Sequence, residues 1–114
     1  MSLSIITRDG KYQIKLTRGD TLQATITMEN ADGEIYEPEA GDVIRFALKK
    51  DFKNEEVLLE KTIPNETLEL EILPEETKSL EFGKYVFDIQ IEFEDGRIDT
   101  FISEGIFIIA PEVE

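Results

Sequence analysis

Asp51, Asn54, Glu55 and Glu56, in the string DFKNEE, are the densest run of oxygen donors in the chain. Oxygen donors are what a hard cation such as calcium takes. Their spacing is not that of an EF-hand loop, and a solvated acidic loop gives the same string. The chain holds 26 acids, so carboxylate pairs at the roughly 5–10 Å used in glycoside hydrolysis arise by chance. A compact domain of this size offers no evident cleft to put between them. There is no histidine and no cysteine. That removes Ser-His-Asp and Cys-His nucleophiles and zinc sites built from nitrogen and sulfur. The seven glycines are scattered and form no phosphate-cradling loop. The expected catalytic, metal and cofactor residues are therefore none.

Two tripeptides invite a functional reading. Arg18-Gly19-Asp20 matches an integrin-binding string, but it stands directly before a regular strand and reads better as a bulge or kink. Asn65-Glu66-Thr67 matches a glycosylation acceptor, which matters only in a secreted eukaryotic protein, and reads as a turn.

The elements that would position any site are strands. Leu22, Ala24, Ile26 and Met28 alternate with polar residues, as do Ile44, Phe46 and Leu48. Leu68, Leu70 and Ile72 do the same. So do Tyr85, Phe87, Ile89, Ile91 and Phe93, against Asp88, Gln90 and Glu92. Period two with one oily side is the pattern of antiparallel sheets packed face to face. A slip of one residue would send Phe87 into water and Asp88 into the core, so the alternation pins the register. Asp9-Gly10, Asp32-Gly33 and Asp95-Gly96 supply turns between the runs. Segments 34–42 and 51–56 read as loops, with a strand over 57–62 and a last one over 98–109. Gly105 in that last strand suggests a bulge. Pro74 with Glu75 and Glu76 behind it starts one short helical turn near 74–80.

The 114 residues fit one domain, 1–114, in which Met1-Ser2-Leu3 has the look of a cloning remnant. The formal charge of −14 disfavours nucleic acid and anionic membrane surfaces, because both are bound through Lys and Arg. The charge suits solubility, or else a basic partner. No apolar run reaches the roughly 18 residues of a spanning helix. Leu3, Ile5 and Ile6 are too few for a signal peptide, so a cytoplasmic chain is expected.

Residues 74–87, PEETKSLEFGKYVF, resemble the corner by which immunoglobulin-like domains enter strand F. There a short helical turn precedes an acid-x-Gly-x-Tyr-x-Cys run. Glu81, Gly83 and Tyr85 match it, and the resemblance implies that the Tyr85 hydroxyl bonds backbone a few residues upstream. Phe87 stands where the cysteine would be, and there is no tryptophan. The expected fold is all-β: an antiparallel immunoglobulin-like sandwich of about seven to nine strands, held by apolar packing with no disulfide.

Residues 14–50 carry Arg18-Gly19-Asp20-Thr21, an alternating strand, an Asp-Gly turn, and Gly41-Asp42 before Ile44 and Phe46. They resemble the opening of small proteins coded in tail regions of Firmicute phages and prophages. Residues 82–109 resemble the closing hairpin of the same proteins. Among named relatives the likeness is to the immunoglobulin-like N-terminal domain of phage baseplate upper proteins. It implies a non-enzymatic virion scaffold, of tail or baseplate, docked onto other tail or baseplate proteins. Such a protein resides in the bacterial cytoplasm during assembly and then in the virion. Relatives of that kind continue into host-recognition segments and this chain stops at Glu114, so receptor binding does not carry over. Self-association is compatible with the sequence. An immunoglobulin-like adhesion or carbohydrate-binding module of a surface protein is the alternative.

Contact groups for such docking are Phe52, among lysines in the 51–56 loop, and Tyr36, in the 34–42 loop. The apolar IFII of strand 98–109 is a candidate open edge, unless both of its faces are buried at home.

Overall fold

Leu22, Ala24, Ile26 and Met28 are buried, and Gln23, Thr25 and Thr27 between them are half-buried. The same rhythm sets most of the other strands. The protein is described by a computed structural model covering residues 2–7, 12–28 and 32–111; the Asp9-Gly10 pair lies outside the described residues. Eight strands and one short helix follow along the described chain. They are β1 (Ser2–Thr7), β2 (Gln13–Thr17), β3 (Leu22–Met28), β4 (Val43–Lys49), β5 (Val57–Ile63), β6 (Glu69–Ile72), α1 (Pro74–Thr77), β7 (Gly83–Glu92) and β8 (Ile98–Ala110).

The strands form two sheets, β1-β3-β6 and β2-β8-β7-β4-β5. The fold is an all-β sandwich with immunoglobulin-like strand order. Most pairings are antiparallel, but β1 runs parallel to β3 and β2 parallel to β8. The antiparallel sandwich expected from the sequence holds, with these two parallel pairings added at the sheet edges. The reason is that β1 and β2 lie in different sheets, so neither closes a hairpin with the strand beside it.

Phe46, Phe87 and Phe107 meet at the centre of the large sheet's inner face, with ring centroids 5.4–6.4 Å apart. Ile14, Ile26, Ile44, Leu70, Ile72 and Ile89 are buried with them. Phe87 is 2% exposed, so the position of the missing cysteine is filled by a ring. Across the pairing, Phe87 lies opposite Gly105, and the register shifts just beyond, between Phe87 and Ile89 and again at Gln90. A Cβ added at Gly105 would come under 3.0 Å from the Phe87 ring. The glycine thus admits an aromatic ring beside an irregular stretch of β8.

Several expectations shift by a few residues. Arg18-Gly19-Asp20, expected as a bulge or kink just before a strand, is the turn that carries the chain from β2 to β3, one sheet to the other. Asp20 N donates to Thr17 O at 3.0 Å, and Gly19 takes φ +94°. Leu68 stands outside β6 with φ +54°, a conformation a branched side chain seldom adopts. It still receives Ile26 N on its carbonyl at 2.8 Å. The helix spans only Pro74–Thr77, after which Leu80 N reaches Thr77 O. Strand β8 is not an edge along Ile106–Ala110, where β2 flanks it on one side and β7 on the other. Parallel addition of β2 removed that edge. Among the described residues no helix is long and apolar enough to cross a membrane.

Candidate protein-docking surface

The corner before β7 is built around Tyr85. Its hydroxyl donates to the Glu81 carbonyl at 2.7 Å, and Gly83 between them takes φ +141°. Only glycine adopts that backbone at low cost. Burial, with the Glu81 charge behind it, raises the Tyr85 hydroxyl above its ordinary value. The Lys50 ammonium sits 5.3 Å from the ring centroid. Glu81, Gly83 and Tyr85 therefore act on the chain's own path. Glu81 is exposed, so water can take over its carbonyl. Tyr85→Phe should accordingly cost about 1 kcal/mol, the net worth of one hydrogen bond, read from urea unfolding midpoints.

Tyr36 is not the free contact group that its loop position suggested. Its hydroxyl donates to Asp42 Oδ2 at 2.5 Å, and its ring meets Phe93 edge-on at 5.9 Å. Asp42 is buried and also accepts Glu39 N at 2.9 Å. Asn65 Nδ2 donates to the carbonyls of Glu39 and Asp42, at 2.9 and 2.6 Å. The 34–42 loop is thus clamped from three sides, and the Asn65 amide is already committed to it. The hydrogen bond to Asp42, then burial, then the Asp42 and Glu39 charges push the Tyr36 phenol up to about 12.

This raised value has a sign. A folded pKa above the unfolded one adds stability that is complete below pH 10 and is lost as pH rises through about 12. Absorbance titration near 295 nm should show a late-ionising phenol, and Tyr36→Phe should remove that step.

Phe52 is exposed, at 57%. It stands over a shallow cleft of about 100 Å³ whose walls also include Ala47, Lys49, Val86 and Asp88. Its loop is held in shape from within. Asp51 Oδ1 accepts the amides of Lys53 and Asn54 at 3.0 and 2.9 Å, and Asn54 Oδ1 accepts Glu56 N at 2.9 Å. The oxygen-rich string DFKNEE spends two of its side chains on its own turn.

The register extends this surface across the outer side of the large sheet. Gln13, Ile106, Val86, Lys49 and Val57 line up across five strands. Lys15, Ile108 and Lys84 form the next row. Val86 is buried although it points outward, whereas Ile106 and Ile108 are half-buried and Val57 is 42% exposed. The result is an apolar strip flanked by Lys15, Lys49 and Lys84. Burial raises the Asp88 carboxyl above its usual range, against the pull of Lys49. A second, more open depression of about 480 Å³ lies among Arg18, Gly19, Pro74, Glu75 and Lys78. Among the described residues no buried side-chain nitrogen or oxygen lacks a partner.

Sequence reasoning named Phe52 and the IFII run separately and missed Val86, which lies beside Phe52 and pairs with Ile106. The available signal was the pair of alternate isoleucines opposite the inward Phe107 and Ile109. In comparisons with known proteins, no family model and no curated protein matches the chain.

Helix α1 lies beside the second depression, between β6 and the corner before β7. Glu76 reaches back to Leu73 N at 2.9 Å and holds Lys61 Nζ at 2.8 Å. Partial burial opposes ionisation of Glu76, but the Leu73 amide and the Lys61 ammonium outweigh it and hold the carboxyl below its ordinary value.

Proposed function

We propose that this chain is a non-enzymatic structural protein of a phage or prophage particle, a tail or baseplate component that works by docking onto other particle proteins. The observation that carries the docking is the outer face of the β2-β8-β7-β4-β5 sheet, where Phe52, Val86, Ile106 and Ile108 form an apolar strip edged by lysines. Its cleft of about 100 Å³ is smaller than the roughly 300–1,000 Å³ that enclose small ligands. A strip of this shape suits a protein surface. The assignment to a particle rests on the resemblance of residues 14–50 and 82–109 to tail-region proteins. In this reading the chain meets neither nucleic acid nor membrane.

The test is prophage induction in the strain that carries the gene, gradient purification of the particles, and quantitative mass spectrometry. The chain should co-purify in fixed ratio to tail proteins. Its absence from particles, with saturable binding on a glycan panel, would replace this reading with the carbohydrate-binding module.

A further inference from the structure

Two rows of side chains on the outer face of the large sheet carry charge of one sign. Lys15, Ile108 and Lys84 lie side by side on β2, β8 and β7, and Ile106, Val86 and Lys49 stand in the row beside them. Followed to their ends, at Gln13 and Val57, the two rows hold three lysines and no carboxylate. The whole chain has 26 acids against 12 bases, so this face is opposite in sign to the molecule. Lys15 and Lys84 are exposed, and neither ammonium has a hydrogen bond or ion pair among the described residues.

The acids of neighbouring segments are placed elsewhere. Asp88 is one row further on, where the Lys49 charge offsets it. Glu55 and Glu56 lead into β5, with β4 between that strand and β7. Asp20 and Glu75 lie in the segments that enter and leave the small sheet, and Asp51 accepts two amides of its own loop. Glu81 stands in the corner before β7 begins. The Lys15–Ile108–Lys84 row is thus positive at short range.

We propose that this row seats an acidic amphipathic helix of a partner protein. Two of its carboxylates take Lys15 and Lys84, and the apolar side chains between them cover Ile108, Ile106 and Val86. The inference deepens the proposed function: it rests on this face being a docking surface, and not on the phage assignment. Spacing is its first argument. Lys15 and Lys84 are two strand spacings apart, about 10 Å. Residues i and i+7 of a helix share one face and lie about 10 Å apart along it, with i+3 and i+4 between them. An extended partner offers same-side residues about 7 or 14 Å apart instead. Charge is the second argument. A second copy laid face to face would set these lysines against themselves, because a twofold contact repeats one patch. An anionic membrane would meet three lysines on a body of −14, short of the clusters of about four to eight that hold such surfaces. A narrow acidic helix meets the lysines alone, since charges beyond a Debye length of about 8 Å are screened at physiological ionic strength.

Fluorescence anisotropy on the whole chain tests this. The probe is a designed, labelled helical peptide with Glu at i and i+7 and Leu at i+3 and i+4. It should bind saturably, and more weakly as salt rises. The double variant Lys15→Glu, Lys84→Glu should bind it at least about tenfold more weakly, since unlike charges across the contact become like. The parent should lose as much with a peptide whose Glu are replaced by Gln, or whose Leu are replaced by Ser. A peptide with Lys in place of Glu should restore binding to the double variant. Thermal melts verify the fold of that variant, whose two ammonium groups make no hydrogen bond or ion pair among the described residues.

Equal binding by the Gln peptide, by a proline-broken acidic peptide that cannot coil, or by the double variant would overturn the inference. So would no binding at all, capture by anionic vesicles in preference to the peptide, or a parent that self-associates through the same lysines in sedimentation velocity. Co-purification with particles that persists in the double variant would defeat this contact and leave the proposed function standing. Absence from particles, with peptide binding intact, would do the reverse.

Discussion

Phe87→Ala should lower the free energy of unfolding by about 3–5 kcal/mol. The ring is 2% exposed and touches two other aromatic rings, with centroids 5.4 Å from Phe46 and 6.4 Å from Phe107. Truncation removes its transfer free energy and leaves a hole. Two rings held by their own strands cannot close that hole by a small shift. A domain has about 5–15 kcal/mol in total, so the variant should sit close to the edge of folding. Urea unfolding followed by far-UV circular dichroism reads the loss. A midpoint unchanged from the parent would mean that Phe87 is not in the core.

Gly105→Ala should cost about 1–3 kcal/mol, although only one methyl group is added. The added carbon meets the Phe87 ring at under 3.0 Å, and the ring is hemmed in by Phe46 and Phe107. The effect is local to one pair of residues, so the double variant Phe87→Leu, Gly105→Ala should be less damaged than the sum of the singles. Additive losses would show that the glycine answers to backbone conformation instead of the ring.

These two residues also show what was legible in the sequence. The alternation Tyr85, Phe87, Ile89, Ile91 gave both the strand and its buried side, because a sheet with one oily face has no other register. Gly105 could be read as an irregularity, but not as the seat of a ring, because its partner is 18 residues away and pairing is not written in either strand. The corner at Tyr85 was legible because its parts are close in sequence: Glu81, Gly83 and Tyr85 span five positions. Tyr36 was misread for the opposite reason. Its hydroxyl partner Asp42 closes the 34–42 string itself, but its ring is held by Phe93, 57 residues on, and nothing in the string marks that contact. The outer strip was hidden in the same way. Val86 and Ile106 look like ordinary strand residues until the β7–β8 register sets them side by side.

The parallel pairing of β2 with β8 bears on how the chain reaches its fold. Gln13 meets Ile106 and Thr17 meets Ala110, so an early strand waits for the last described one. Closing such distant pairs slows folding, as in other β-sandwiches, to milliseconds or longer. During synthesis the ribosome releases β2 long before its neighbour exists. Until β8 arrives, β7 also has a bare flank, and the Phe46–Phe87 stack lacks its third ring. Nascent chains halted before β8 should therefore be the species that sticks to chaperones.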